Sequence, residues 1–268
     1  MSMFTTQRLA RFYQSYRETE VTFNSQVILV SGLVTSDIHL KVGDLHFPCV
    51  LYASSMQGAR VIAEMGDAFV DALARTNNAA ALRLSFRPQD EHESITFFVS
   101  CRVDGLAEYN QQKPHVRFIT LAFTQRPSDD LIGILGSLLE INANAIRRRD
   151  ERIVLTPESM KMIGMESKES CVAIAGASRR CIVRDLSFGG AKILVTTPGQ
   201  QQGDTKVHLK LARCETKDTT VLDGSIVRVE DVEGRNDVVA LSIRYSSEPP
   251  ISYKQRINSF FAAHGNAS

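Results

Sequence analysis

The chain has 268 residues, 43% of them hydrophobic, which is enough apolar material for two cores at roughly 100 to 200 residues per domain. Its 31 lysines and arginines are balanced by 30 aspartates and glutamates, so no global field draws it to nucleic acid or to an anionic membrane, and any anion site has to be local. No stretch approaches about 18 consecutive apolar residues, and the cysteines (Cys49, Cys101, Cys171, Cys181, Cys214) show neither zinc spacing nor a disulfide framework, so a cytoplasmic protein with no membrane insertion is expected.

Taken in chain order, Thr6 to Glu20 places Leu9, Phe12, Tyr13 and Tyr16 at helical spacing. The runs EVTFNSQVILVSGLV, DIHLKVGDLHFPCVLYAS, ALRLSFRP, SITFFVSCRVDGLAEYN and HVRFITLAFTQRP are alternating or β-branched and are cut by Gly, Pro, Asn and Asp, which predicts strands. Between them, residues 56–76 space Val61, Ile62, Met65, Phe69, Ala72 and Leu73 for one helix face. A second helix follows Ser128, with Leu131, Ile134, Leu135, Leu138 and Leu139 on its apolar side.

Beyond an arginine-rich stretch, six or seven short strands at even spacing predict a small closed barrel, with turns at Gly176, FGG, TPGQQQGD and EGRND. Ile257, Phe260 and Phe261 form the apolar face of a final helix that stops at Gly265 and is expected to cap that barrel. The expected fold is therefore mainly β with helices. Two small antiparallel β-barrel domains, 1–143 and 157–268, are joined by a helix and an Arg-rich linker, 144–156.

That linker holds Arg147, Arg148, Arg149 and Arg152 together with Asp150 and Glu151. Cations at a helix C-terminus are each worth only about 0.3 to 1 kcal/mol, which does not account for four of them. A solvated, partly neutralised hinge is one reading. The other rests on residue type: an all-Arg cluster presents planar forks that bind phosphate bidentately and stack on bases.

Downstream, DLSFGG sets Asp185 and Ser187 two apart and follows them with Gly189 and Gly190. Alone it reads as a turn, since Asp, Ser and Gly are what turns use. Beside arginines it gains a second meaning, because a carboxylate and a hydroxyl accept and donate at a guanine edge while guanidinium groups engage phosphates, N7 and O6.

The pair of stretches resembles the signature of PilZ domains, bacterial receptors for cyclic di-GMP. Arg148 and Arg152 stand in an RxxxR arrangement, and Asp185, Ser187 and Gly190 in DxSxxG. DGSIVRVED and VVALSIRY are similar to the family's closing strands, and the layout of the first half resembles the amino-terminal barrel of the two-domain spirochaetal receptors. The resemblance covers about residues 145 to 263. It implies a non-enzymatic receptor with no cofactor, whose ligand, cyclic di-GMP, is held by Arg147, Arg148, Arg152, Asp185, Ser187, Gly189 and Gly190. Binding would alter domain orientation and so regulate motility or virulence-related targets through a downstream protein that the sequence does not name. The 32-residue stretch between Arg152 and Asp185, long for the family, is expected to contain a looped excursion.

Other chemistry finds little footing. None of the six histidines has a second ligand at i+3 or i+4, so no metal site is expected. Neither a Ser-His-Asp or Cys-His arrangement nor a phosphate-binding GxxxxGK[ST] loop can be assembled, so no catalytic residue is expected. MKMIGM reads as packing, and Arg179, Arg180 and Arg184 as a basic extension or a protected strand edge. The first half lacks both motifs and is not expected to bind a nucleotide. The competing class is a nucleic-acid-binding barrel that uses the basic linker as a phosphate track.

Overall fold

In the computed structural model the described residues are 4–87, 93–113, 115–196, 205–212 and 219–264; Cys214, the TPGQQQGD turn and Gly265 lie outside them. The amino-terminal part begins with α1 (Thr6–Ser15), whose Leu9 and Phe12 are buried. Then come β1 (Val21–Thr22), α2 (Ser25–Ser31), β2 (His39–Val42), β3 (Leu45–Ser54), β4 (Gly58–Glu64), α3 (Asp67–Arg75), β5 (Ala79–Phe86), β6 (Ile95–Glu108), β7 (Val116–Phe123) and α4 (Asp129–Arg147). The chain divides into two units after Glu140, within α4.

Two stretches depart from expectation. Residues 20–34 hold only the two-residue β1, because the Asn24 side chain accepts from the Val27 N–H at 2.9 Å and Gly32, at φ 70°, ends a helical turn. This pair of caps overrides the β-branched composition between them. Residues 56–76, expected as one helix, are a strand and then a helix. Ala59, Val61 and Ala63 alternate into the core while β4 pairs with β3 on one side and β7 on the other, and only Phe69, Ala72 and Leu73 form the helix face. The apolar run satisfied both periods, and two flanking strands settled it as β.

The second unit contains the end of α4, then β8 (Ile153–Val154), α5 (Pro157–Met162), β9 (Glu169–Ile174), β10 (Ala177–Leu186), β11 (Gly190–Thr196), β12 (Lys206–Ala212), β13 (Thr219–Val232), β14 (Arg235–Tyr245) and α6 (Ile251–His264). The stretch after Arg152 is therefore not a looped excursion. It is β8, a helix with a Thr156 capping box, and a β9–β10 hairpin turned by Ala175 and Gly176 at positive φ. Ile163 and Met165 of MKMIGM are buried in the core, and so are Tyr253 and Ile257, by which α6 packs on the barrel.

Each unit is a closed antiparallel barrel of six strands with a seventh short strand attached. In the first, β3-β2-β5-β6-β7-β4 closes through β3–β4, and β1 pairs with β3. In the second, β10-β9-β12-β13-β14-β11 closes through β10–β11, and β8 pairs with β10. Strand for strand the order is the same. Among the described residues, closure leaves the short added strands with free edges.

Candidate ligand-binding site on the second barrel

The DLSFGG segment is the turn between β10 and β11. A register shift between Val183 and Asp185 rotates the strand, so that Asp185 stands beside β8 opposite Val154. Ser187, 2% exposed, spends its hydroxyl inside the turn: Oγ accepts from the N–H groups of Gly189 (3.2 Å) and Gly190 (3.0 Å) and donates to the Gly190 carbonyl (3.2 Å). The Ser187 carbonyl accepts from the Tyr253 hydroxyl at 2.8 Å, and that oxygen lies 3.1 Å from the Tyr245 hydroxyl. Burial pushes both phenols above their ordinary range, so they remain neutral hydrogen-bonding anchors for the turn.

Both glycines meet close backbone. A Cβ on Gly190 would lie 2.2 Å from the Ile243 carbonyl oxygen, which is how closely β11 approaches β14. A Cβ on Gly189 would lie 2.8 Å from Arg149 Cγ and 3.1 Å from its carbonyl oxygen, and the Gly189 N–H donates to that same carbonyl at 2.9 Å. The arginine segment is thus laid directly on the turn.

Within that segment the arginines separate. Arg147 ends α4 and donates to Asn144 Oδ1 at 3.0 Å. Arg148 pairs with Glu151 at 3.2 Å and lies over the Phe261 ring, 5.1 Å from its centroid. Arg152 forms an ion pair with Asp185, whose side chain is 14% exposed. Arg149 and Arg152, with Asp150, Ser187, Gly189, Gly190, Val227, Ile243 and Arg244, line an open cavity of about 320 Å³. Arg149 and Gly189 also border a neighbouring cavity of about 400 Å³ with Ile146, Phe188, Tyr245 and Lys254.

Of the expected site residues, Arg152, Ser187, Gly189 and Gly190 meet at one cavity, and Asp185 joins them through its pair with Arg152. Arg147 and Arg148 do not line it; their guanidinium groups are held by α4, by Glu151 and by the Phe261 ring. Arg149, Asp150, Val227 and Arg244 line it without having been singled out as ligand residues. Arg149 stood in the quoted cluster. Arg244 is brought to the cavity by the pairing Gly190↔Arg244 across 54 residues of chain, for which no local pattern is a signal.

The first barrel contains the same corner with other side chains. Its β3–β4 turn has the matching register shift between Leu51 and Ala53, and β1 sits opposite Ser54 and Ala53 as β8 sits opposite Leu186 and Asp185. Ser55 N–H donates to the Gly58 carbonyl at 2.8 Å, as Ser187 does to Gly190. A Cβ on Gly58 would lie 2.3 Å from the Leu121 carbonyl oxygen, the counterpart of Gly190 against Ile243. Ala53 stands where the second barrel has Asp185, Gln57 for Gly189, Glu20 for Arg152, and Ala122 for Arg244. Arg17, in the place of Arg149, donates to the Gln57 side-chain carbonyl (Nη2 2.9 Å) when that amide is oriented to satisfy both groups. Glu20 pairs with Arg60.

Comparison with known proteins agrees with this two-barrel division. A family model for the PilZN3 domain matches residues 7–142, and one for the PilZ domain matches residues 146–263. The chain belongs to the PilZ family, with a PilZN3 domain ahead of its PilZ domain. A cyclic di-GMP binding protein of Treponema denticola is 34% identical over 263 residues, 98% of this chain and 84% of that protein. Similar solved structures include the Borreliella burgdorferi PlzA protein in complex with c-di-GMP (21% identity, TM-score 0.44, 96% of this chain and 99% of that one). Escherichia coli YcgR in complex with c-di-GMP is another (16% identity, TM-score 0.29, 90% and 88%). Among the described residues no helix is long and apolar enough to cross a membrane.

Proposed function

We propose that this protein is a non-enzymatic receptor for cyclic di-GMP and that the ligand occupies the cavity where the arginine segment lies on the β10–β11 turn. The observation that carries the reading is the convergence of Arg152, Asp185, Gly189 and Gly190 at one open cavity, in a chain of the PilZ family that is 34% identical to a cyclic di-GMP binding protein. Arg152 and Asp185 face one another, so each is released to the ligand together: the guanidinium to a phosphate or to guanine N7 and O6, the carboxylate to the guanine N1 and N2 donors. Ser187 and Gly190 act by shaping the turn, and Arg147 and Arg148 by anchoring the segment. Three or four bidentate or stacking contacts, each worth about 1 to 3 kcal/mol, are the source of affinity, and a dissociation constant near micromolar is expected.

The residues that line the cavity all belong to the second unit. A change in domain orientation, read in the cytoplasm by a protein acting in motility or virulence, is the proposed output, and small-angle scattering with and without saturating ligand tests it. Isothermal titration of cyclic di-GMP into the wild type, an Arg152→Ala variant and a GTP control tests the receptor reading. Saturable heat that the variant loses and GTP does not reproduce is expected; a well-folded wild type giving no heat would overturn it. A binding constant that falls steeply with salt on a nucleic-acid probe would favour the phosphate-track alternative.

A further inference from the structure

We infer that Arg244, working with Arg149, is an anion-binding residue of this cavity, supplying the phosphate contacts that the RxxxR pattern would assign to Arg148. The inference rests on the receptor reading above and deepens it. Three observations carry it.

The first is which arginines are free. Arg147, Arg148 and Arg152 each have a partner, whereas among the described residues Arg149 and Arg244 have neither an ion pair nor a side-chain hydrogen bond, although both line the cavity. With Arg152 and Asp185 cancelling, these two guanidinium groups against the single carboxylate of Asp150 leave the cavity with one excess positive charge. Two unengaged planar forks at one opening suit a phosphodiester.

The second is that the paired glycines seat these same two residues. Gly189 leaves the space that Arg149 Cγ fills, and its N–H holds the Arg149 carbonyl. Gly190 lets β11 close on Ile243, which brings it into register with Arg244, and the next N–H, that of Tyr245, donates to the Gly189 carbonyl at 3.0 Å.

The third is the internal control that the first barrel provides. There the same close approach at Gly58 is made opposite Ala122, so barrel closure needs no arginine at that position. The Arg149 position is still arginine, Arg17, and with the Gln57 amide oriented to satisfy both groups it donates to Gln57. What distinguishes the second barrel is an arginine added on β14 and a glycine that leaves Arg149 unbound.

The test is titration of cyclic di-GMP into the full chain with Arg244→Ala, Arg244→Lys and, as a control, Arg228→Ala, an arginine 71% exposed on β13 that pairs with Glu230 outside the cavity. Arg244→Ala is expected to weaken binding at least tenfold and Arg244→Lys less, because lysine keeps charge without the fork. Arg228→Ala should stay within about twofold, as expected of an exposed surface ion pair. Unfolding midpoints should be unchanged; if the alanine variant lowers its midpoint, Arg244→Gln, which keeps most of the stem, decides instead. Wild-type binding with an Arg244 variant within twofold of it would overturn this inference alone. No binding by the wild type would overturn the receptor reading and this inference with it.

Discussion

The two barrels share a strand order, a bulge, a serine-bridged turn and a glycine pressed against a carbonyl, and in the second the corner opens into a cavity lined by Arg149, Arg152 and Arg244. Their difference separates two jobs that a sequence motif merges. Ser187 and Gly190 have counterparts in Ser55 and Gly58, which close the first barrel's turn in the same way, so they belong to the turn. Arg152, Asp185, Gly189 and Arg244 are replaced by Glu20, Ala53, Gln57 and Ala122, so the turn does not need them, and the proposed site assigns them to the ligand.

The comparison can be broken in order of expected effect. Gly190→Ala and Gly58→Ala should both destabilise the fold, by about 3 kcal/mol or more, because each Cβ would press on a strand carbonyl at van der Waals overlap. Denaturant melts showing a cost for one and none for the other would end the claim that the corners are equivalent. Asp185→Ala should weaken cyclic di-GMP by about 1 to 3 kcal/mol, roughly tenfold or more, and leave cooperative unfolding intact. Loss of that cooperativity would mark Asp185 as part of the fold.

Ser187→Ala and Ser55→Ala should each cost about 1 to 2 kcal/mol in stability, since the first strands the N–H groups of Gly189 and Gly190 and the second that of Gln57. Matching losses in the two melts would sharpen the parallel. The smallest effect is expected from Asp150→Asn, which removes a carboxylate that lines the cavity and, among the described residues, has no ion pair, and should tighten binding about two- to fivefold. Weaker binding in that variant would mean that Asp150 accepts a ligand proton instead of opposing its charge.

Much of this was legible from residue order. Strand alternation announced β9 to β14, and the arginine stretch and DLSFGG announced the cavity. The failures have local causes. Residues 25–31 are β-branched and yet helical because Asn24 and Gly32 cap them, and residues 58–64 fit a helical period until β3 and β7 pair with them. Arg148 fits the family pattern but is drawn to Glu151 and Phe261, the latter more than a hundred residues away. Arg244 carries no motif; only closure of β11 on β14 reveals it. Contacts made by barrel closure are long-range by nature, and a linear pattern does not record them.

On the proposed reading the second barrel binds because Gly189 leaves its corner open, where the first barrel has Gln57. Gly189→Gln tests it most directly, by importing the first barrel's residue to take up Arg149 as Gln57 takes up Arg17. Calorimetric titration of cyclic di-GMP into this variant should show binding weakened at least a hundredfold in a chain that still unfolds cooperatively, with a midpoint lowered because the new Cβ displaces Arg149 Cγ. Wild-type affinity in the folded variant would contradict the account.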